Sequence, residues 1–260
     1  MRALMRLVGL WLSVFCCLCG RVAAQTTIDY NTVRFSRIVK AVRIDGPINL
    51  DGHLSEDVWQ QAPAAQDFTQ SGRSQHPGEP ASQQTEVRFL YDSQNLYIAA
   101  TCYEKDVKHM IVNGLKRDFT SNLGDEIGIV LDTLNDDRSG FFVSTNPAGA
   151  KRDLQVSNDS QINQEWDGVW DVRVRIEDDR WIAEFVIPFK TLRFPDVTEQ
   201  EWGLNIFRKI RRVNEERNSP SPVKREPTQR SASPASTGPR IACSCDGSCW
   251  PSPSICTATS

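Results

Sequence analysis

A period of two constrains this chain more than any other feature. In VWDVRVRI (169–176) and RWIAEFVI (180–187), Asp171, Arg173, Arg175 and Glu184 interrupt apolar residues at nearly alternate positions. That spacing suits a strand with one wet face and does not follow the 3.6-residue repeat of a helix. The segments 86–91, 95–104, 126–133, 140–145, 154–157 and 202–210 are β-rich in the same way, with turn residues between them. Asp92-Ser93-Gln94 between the first two predicts a hairpin. Short strands in this number, from about Arg34 to Arg212, predict an all-β fold: an antiparallel, jelly-roll-like β-sandwich. Helix is expected only over Ser55–Gln61, capped by Ser55, and over Phe189–Leu192 after Pro188.

The ends read differently from the body. Residues 1–24 carry Arg2 and Arg6, the apolar run Leu7–Leu18 and then Val22-Ala23-Ala24. These are the three parts of a secretory leader, so the mature chain is expected to begin near Gln25 and to be exported, to the periplasm, outer membrane or exterior. Residues 25–37 form an extension and 38–217 the sandwich. From Asn218 the composition changes: 219–260 holds seven of the fourteen prolines and no Leu, Phe, Tyr or Met. Such a stretch buries too little apolar surface to offset its ordering entropy and is expected to be disordered. It reads either as a natural tail or as an altered reading frame after about Glu216, and the Cys-rich, Leu-free ending favours the second. Cys243, Cys245, Cys249 and Cys256 lack paired C-x-x-C spacing and a nearby histidine, against structural zinc. Cys102, alone in the body, is expected to be a small buried hydrophobe. A formal net charge of −3 with no basic stripe argues against nucleic acid as a partner.

Ile44–Ala62, IDGPINLDGHLSEDVWQQA, spends two Asp-Gly turns ahead of one tryptophan. Asp-Gly pairs permit the positive φ of tight turns, and they are expected to aim Leu54 and Trp59 at the sheet, with Trp59 plugging one end of the sandwich.

With EVRFLYDSQNLYIAATCYE, GDEIGIVLDT and WIAEFVIPFKTLRF, this stretch resembles the family 9 carbohydrate-binding module. More closely, it resembles the variant of that module at the amino end of bacterial proteins whose remainder is a predicted outer-membrane β-barrel. The likeness spans about Ile38 to Glu216. It implies a β-sandwich that binds sugars without catalysis, is often joined to secreted glycoside hydrolases of carbohydrate catabolism, and commonly carries structural calcium. Barrel-bearing relatives continue past RKIRRVNEE, where this chain turns into its Pro/Ser/Cys-rich ending.

Sugar recognition needs a flat aromatic face among planar amide, carboxylate and guanidinium groups. NQEWDGVWD (163–171) offers Trp166 and Trp170 with Gln164 and Glu165. If Gly168 marks a turn, Trp166 lies exposed on a loop and Trp170 starts a strand facing the core. Arg117 and Asn146 are further polar candidates. For calcium, which takes six to eight hard oxygens, the acidic positions are Asp51, Asp125, Glu126 and Asp132. The alternative for the last is an ordinary polar hairpin, DTLNDDRSG. Catalysis finds no motif: His53, His76 and His109 lie apart, and no nucleophile elbow, P-loop or dinucleotide fingerprint occurs. Two other readings remain open, a plug or sensor domain of a truncated outer-membrane barrel and a fragment of a glycoside hydrolase.

Overall fold

Along Arg180–Pro188 the alternation becomes two faces, with Trp181, Ala183, Phe185 and Ile187 in the main core and Ile182, Glu184 and Val186 on the other side. The computed structural model describes residues 38–70, 74, 79–112, 114–121, 123–158, 161–197, 199–213 and 255–259. Its elements are β1 (Val39–Arg43), α1 (Val58–Gln61), β2 (Thr85–Tyr91), β3 (Asn95–Tyr103), β4 (Glu126–Asp132), β5 (Gly140–Thr145), β6 (Lys151–Ser157), β7 (Gln161–Asn163), β8 (Asp171–Ile176), β9 (Arg180–Pro188), β10 (Glu199–Lys209) and β11 (Ile255–Thr259).

They form an all-β sandwich of two sheets. One runs β7-β6-β5-β4-β10-β11-β1 and the other β1-β2-β3-β9-β8. Every pairing is antiparallel except those of β1, which lies parallel to β11 through Val39–Ala41 and to β2 through Val42–Arg43. The first strand thus crosses between the layers. Between the sheets, Val87, Phe89, Ile98 and Ala100 meet Ile127, Ile129, Leu204 and Ile206, each at most 1 % exposed. Each full burial of a Val, Ile, Leu or Phe side chain here contributes about 1.5–3 kcal/mol.

The segment after β1 explains the paired turns. It wraps the outer face of the second sheet, where Trp59 packs with Ile44, Leu90, Tyr97 and Ala99 in a cluster flanked by Leu54. Trp59 is fully buried, but on a sheet face and not at an end of the sandwich as expected. Only one turn uses its glycine's freedom: Gly52 has φ 81°, whereas Gly46 is not left-handed. A Cβ on Gly52 would lie 3.2–3.4 Å from Val174 and Arg175 of β8, so glycine also permits close docking. The helix begins later than expected, after Asp57, with no side-chain cap from Ser55.

On the outside of the first sheet, Phe142 and Phe207 stack with centroids 5.4 Å apart, directly over Gly128. Any side chain at 128 would strike both rings. Cys102 is buried and unpaired, as expected, and burial pushes its thiol up to about 11. Strands β1 and β7 were not anticipated. The leader, the 25–37 extension and His76 lie outside the described residues, as do 218–254 of the tail, while Ile255–Thr259 forms β11. Among the described residues no helix is long and apolar enough to cross a membrane.

Candidate functional site

Residues 164–170 carry the chain from the edge of one sheet to the edge of the other. Trp166 sits on this connector half-buried, its ring centroid 5.1 Å from that of Phe141 and its six-membered ring against Gly168. Two inward-facing residues of β6 fasten the crossing. Asp153, buried, accepts the Gly168 amide at 2.7 Å and Arg117 Nη2 at 2.7 Å. Lys151 Nζ lies 5.0 Å from the Trp170 ring centroid and donates to the Trp170 carbonyl at 2.6 Å. Arg117 also pairs with Asp167, so one guanidinium from the β3–β4 loop is held by two carboxylates beside Trp166. Desolvation raises the Asp153 carboxyl above its ordinary range despite these donors.

The structure brings Trp166, Gln164, Glu165 and Arg117 to this edge, with Gln164, Glu165 and Asp167 exposed. Trp170 and Asn146 do not belong to it. Trp170, 3 % exposed, stacks on Phe185 in the core, the facing expected of it, although the strand it was expected to start begins one residue later. Asn146 is fully buried as a turn clamp: its Oδ1 accepts the amides of Ala148 and Ala150, and its Nδ2 donates to Gly114 O. Asp153 and Asp167 were missed. The usable signal was KRDLQVS (151–157), where an aspartate occupies an inward position of a strand.

The four carboxylates considered for calcium do not converge, and protein donors already meet each of them. Asp125 accepts the Arg211 amide at 2.8 Å, and burial pushes its carboxyl up to about 6. Glu126 faces Ser121 Oγ at 2.6 Å, Lys209 Nζ at 3.2 Å and Arg152 at 3.5 Å. Asp132 accepts the amides of Leu134, Asp136 and Asp137, which is the polar hairpin. Asp51 caps His53 N at 2.7 Å and takes Asn49 Nδ2 at 2.8 Å. Among the described residues no three His, Cys, Asp or Glu side chains are grouped to hold a metal ion. As a single ion cage this set does not fit. His53 and His109 lie far apart in the chain, and His109 faces Asp106 at 2.7 Å.

Glu184 belongs to the wrapped segment instead. Its Oε2 accepts the amides of Asp51 and Gly52 at 3.1 and 3.0 Å, while burial pushes the carboxyl up to about 7. A folded-state value above the unfolded 4.5 means the folded chain holds this proton more tightly between those values. Stability present below pH ~4.5 is therefore lost as pH rises through about 7, on the order of 2–3 kcal/mol for this group. Glu184→Gln should remove that loss: its thermal midpoint should exceed the parent's at pH 8 and converge on it near pH 4.5. A gap that is the same at both pH values would refute the assignment.

A groove of about 290 Å³ lies elsewhere, lined by Arg43, Asp45, Pro47, Asp92 and Gln94 among others, with no aromatic face for a sugar ring.

No family model matches this sequence, and no curated protein does. Among solved structures, a candidate carbohydrate-binding protein from Bacteroides uniformis has a TM-score of 0.53 and 10 % identity, over 69 % of this chain and 87 % of that one. That likeness shows the fold. A family 9 carbohydrate-binding module from Caldicellulosiruptor kristjanssonii matches in its complexes with glucose and with cellotriose, each with a TM-score of 0.41 and 14 % identity. These cover 65 % of this chain and 75 % and 74 % of theirs, at a score too low to carry residues or ligands across.

Proposed function

We propose that this chain is an exported, non-catalytic β-sandwich module that binds carbohydrate at the edge crossed by residues 164–170. The observation that carries the reading is the grouping of half-buried Trp166 with exposed Gln164, Glu165 and Asp167 and with Arg117, itself fixed by Asp153. An indole takes the C–H surface of a pyranose, and planar amide, carboxylate and guanidinium groups bond its vicinal hydroxyls. Because Arg117 is already held in place, little side-chain entropy remains to be lost on binding. The shared fold with a protein named for carbohydrate binding supports the same reading. So does the leader-like amino end, which supports export.

Calorimetric titration of the chain from Gln25 against mono- and oligosaccharides, with calcium and with chelator, tests it. One sugar class should give saturable heat, and Trp166→Ala should weaken binding about tenfold or more, equivalent to about 1.4 kcal/mol. Unchanged affinity in that variant would remove Trp166 from the site. Silence across the panel from a folded sample would defeat the carbohydrate reading, and release of reducing sugar would defeat the non-catalytic one.

A further inference from the structure

The groove beside the first Asp-Gly turn has two anchored walls. One is the chain leaving β1. Ile44 N donates to Tyr91 O at 2.8 Å and the Ile44 side chain is buried with Trp59, which leaves Arg43 and Asp45 exposed on either side of it. Pro47 fixes φ just beyond the turn. The other wall is the β2–β3 turn. There Asp92 Oδ1 accepts the Gln94 and Asn95 amides at 2.6 and 2.7 Å, and Oδ2 accepts the Tyr97 hydroxyl at 2.8 Å. Phe189 N, directly after β9, donates to Gln94 O at 2.8 Å and braces that turn from outside. A space walled in this way costs little further ordering when a ligand enters it.

Its charges are only partly answered. Arg43, Asp45 and Asp92 are the charged residues lining the groove of about 290 Å³. Among the described residues no hydrogen bond or ion pair meets the Arg43 guanidinium or the Asp45 carboxylate, although both open on the one space. Asp92 differs, because neutral donors already occupy both of its oxygens. Against desolvation, the Gln94 amide, the Tyr97 hydroxyl and Asn95 hold its carboxyl below the ordinary range, so it stays ionised with no cation beside it. One cation therefore shares the groove with two anions. A simple anion would suit Arg43 but meet both carboxylates, a metal ion would meet the guanidinium, and a sugar ring finds no aromatic face. A ligand carrying both signs satisfies both free groups: its carboxylate pairs in a fork with Arg43 and its ammonium with Asp45. The exposed Ser93 hydroxyl and Gln94 amide offer further hydrogen bonds. A space at the lower end of ligand-pocket sizes suits a small molecule of this kind. We infer that this groove binds a free α-amino acid, and that the surplus anion makes it prefer a basic amino acid to an acidic one. This does not rest on the carbohydrate reading, which turns on Trp166.

Calorimetric titration of the full chain with L-lysine, glycine and L-glutamate tests this. Lysine should give saturable heat, glycine should bind several-fold more weakly, and glutamate more weakly still. Added salt should narrow the gap between lysine and glycine, because that preference comes from a screened charge. Arg43→Gln and Asp45→Asn should each weaken lysine binding about tenfold or more, through loss of a charged pair with the ligand. Their thermal midpoints should stay near the parent's, since neither side chain has a partner to lose. Trp166→Ala should bind lysine as the parent does. No heat from any of the three in a folded sample, variants at 43 and 45 that bind like the parent, or glutamate bound as tightly as lysine would each overturn the inference. Loss of lysine binding in Trp166→Ala would overturn it as well, by moving the ligand to the 164–170 connector.

Discussion

Trp59→Ala is expected to cost about 3–5 kcal/mol of folding stability, a large part of the ~5–15 kcal/mol a domain possesses. The indole is fully buried, and it joins the wrapped segment to Leu90, Tyr97 and Ala99 of the second sheet. The void left by truncation borders two short turns and a one-turn helix, which cannot collapse into it without releasing Gly52 from Glu184. Urea denaturation followed by circular dichroism gives the loss directly, and Trp59→Phe should recover much of it. A loss below about 1 kcal/mol for the alanine variant would mean that the segment 44–62 contributes little to holding the sheet.

Lys209→Ala should be nearly as severe, about 3–5 kcal/mol, because it strips a buried carboxylate of its principal cation. Glu126 is fully buried, with Lys209 Nζ at 3.2 Å and Arg152 farther away at 3.5 Å. The mechanism predicts a rescue. Lys209→Met combined with Glu126→Leu removes both charges while keeping their volume, and it should be far more stable than Lys209→Ala. If the double variant were as unstable as the single one, hydrogen bonding through Ser121 would be the stabilising element in place of charge pairing.

The strands were legible because a sandwich enforces alternation wherever a face is buried. Gly140–Thr145 was bounded correctly, and Glu86–Tyr91 and Arg180–Ile187 fell one residue short. Strand β1 escaped notice because VKAVR is too short to establish a period, and it is defined by partners distant in sequence. The site was half legible. NQEWDGVWD announced two tryptophans, but the turn lies at Gln164-Glu165 and not at Gly168, which sits within the connector, and the strand starts only at Asp171. What could not be read was the closure of the edge: Arg117 reaches Asp153 across 36 residues of sequence, a contact no local pattern encodes. Asn146 misled because a buried turn clamp and a solvated ligand residue look alike in sequence.

The wrapped segment also has a place in time. Gly52 and Glu184 are 132 residues apart, and the Trp59 cluster draws on β2, β3 and Val186 of β9. A chain emerging amino end first presents the cover long before the floor it lies on is complete. Leu90, Tyr97 and Ala99 can receive Trp59 once β3 is made, but Val186 and the Glu184 carboxylate that fastens Gly52 come only with Arg180–Pro188. Closing such a distant contact makes folding slow, and the interval leaves the large aromatic partly open to aggregation. The same pair of turns that finishes the mature sandwich therefore leaves the nascent one dependent on whatever shields a half-covered tryptophan in the meantime.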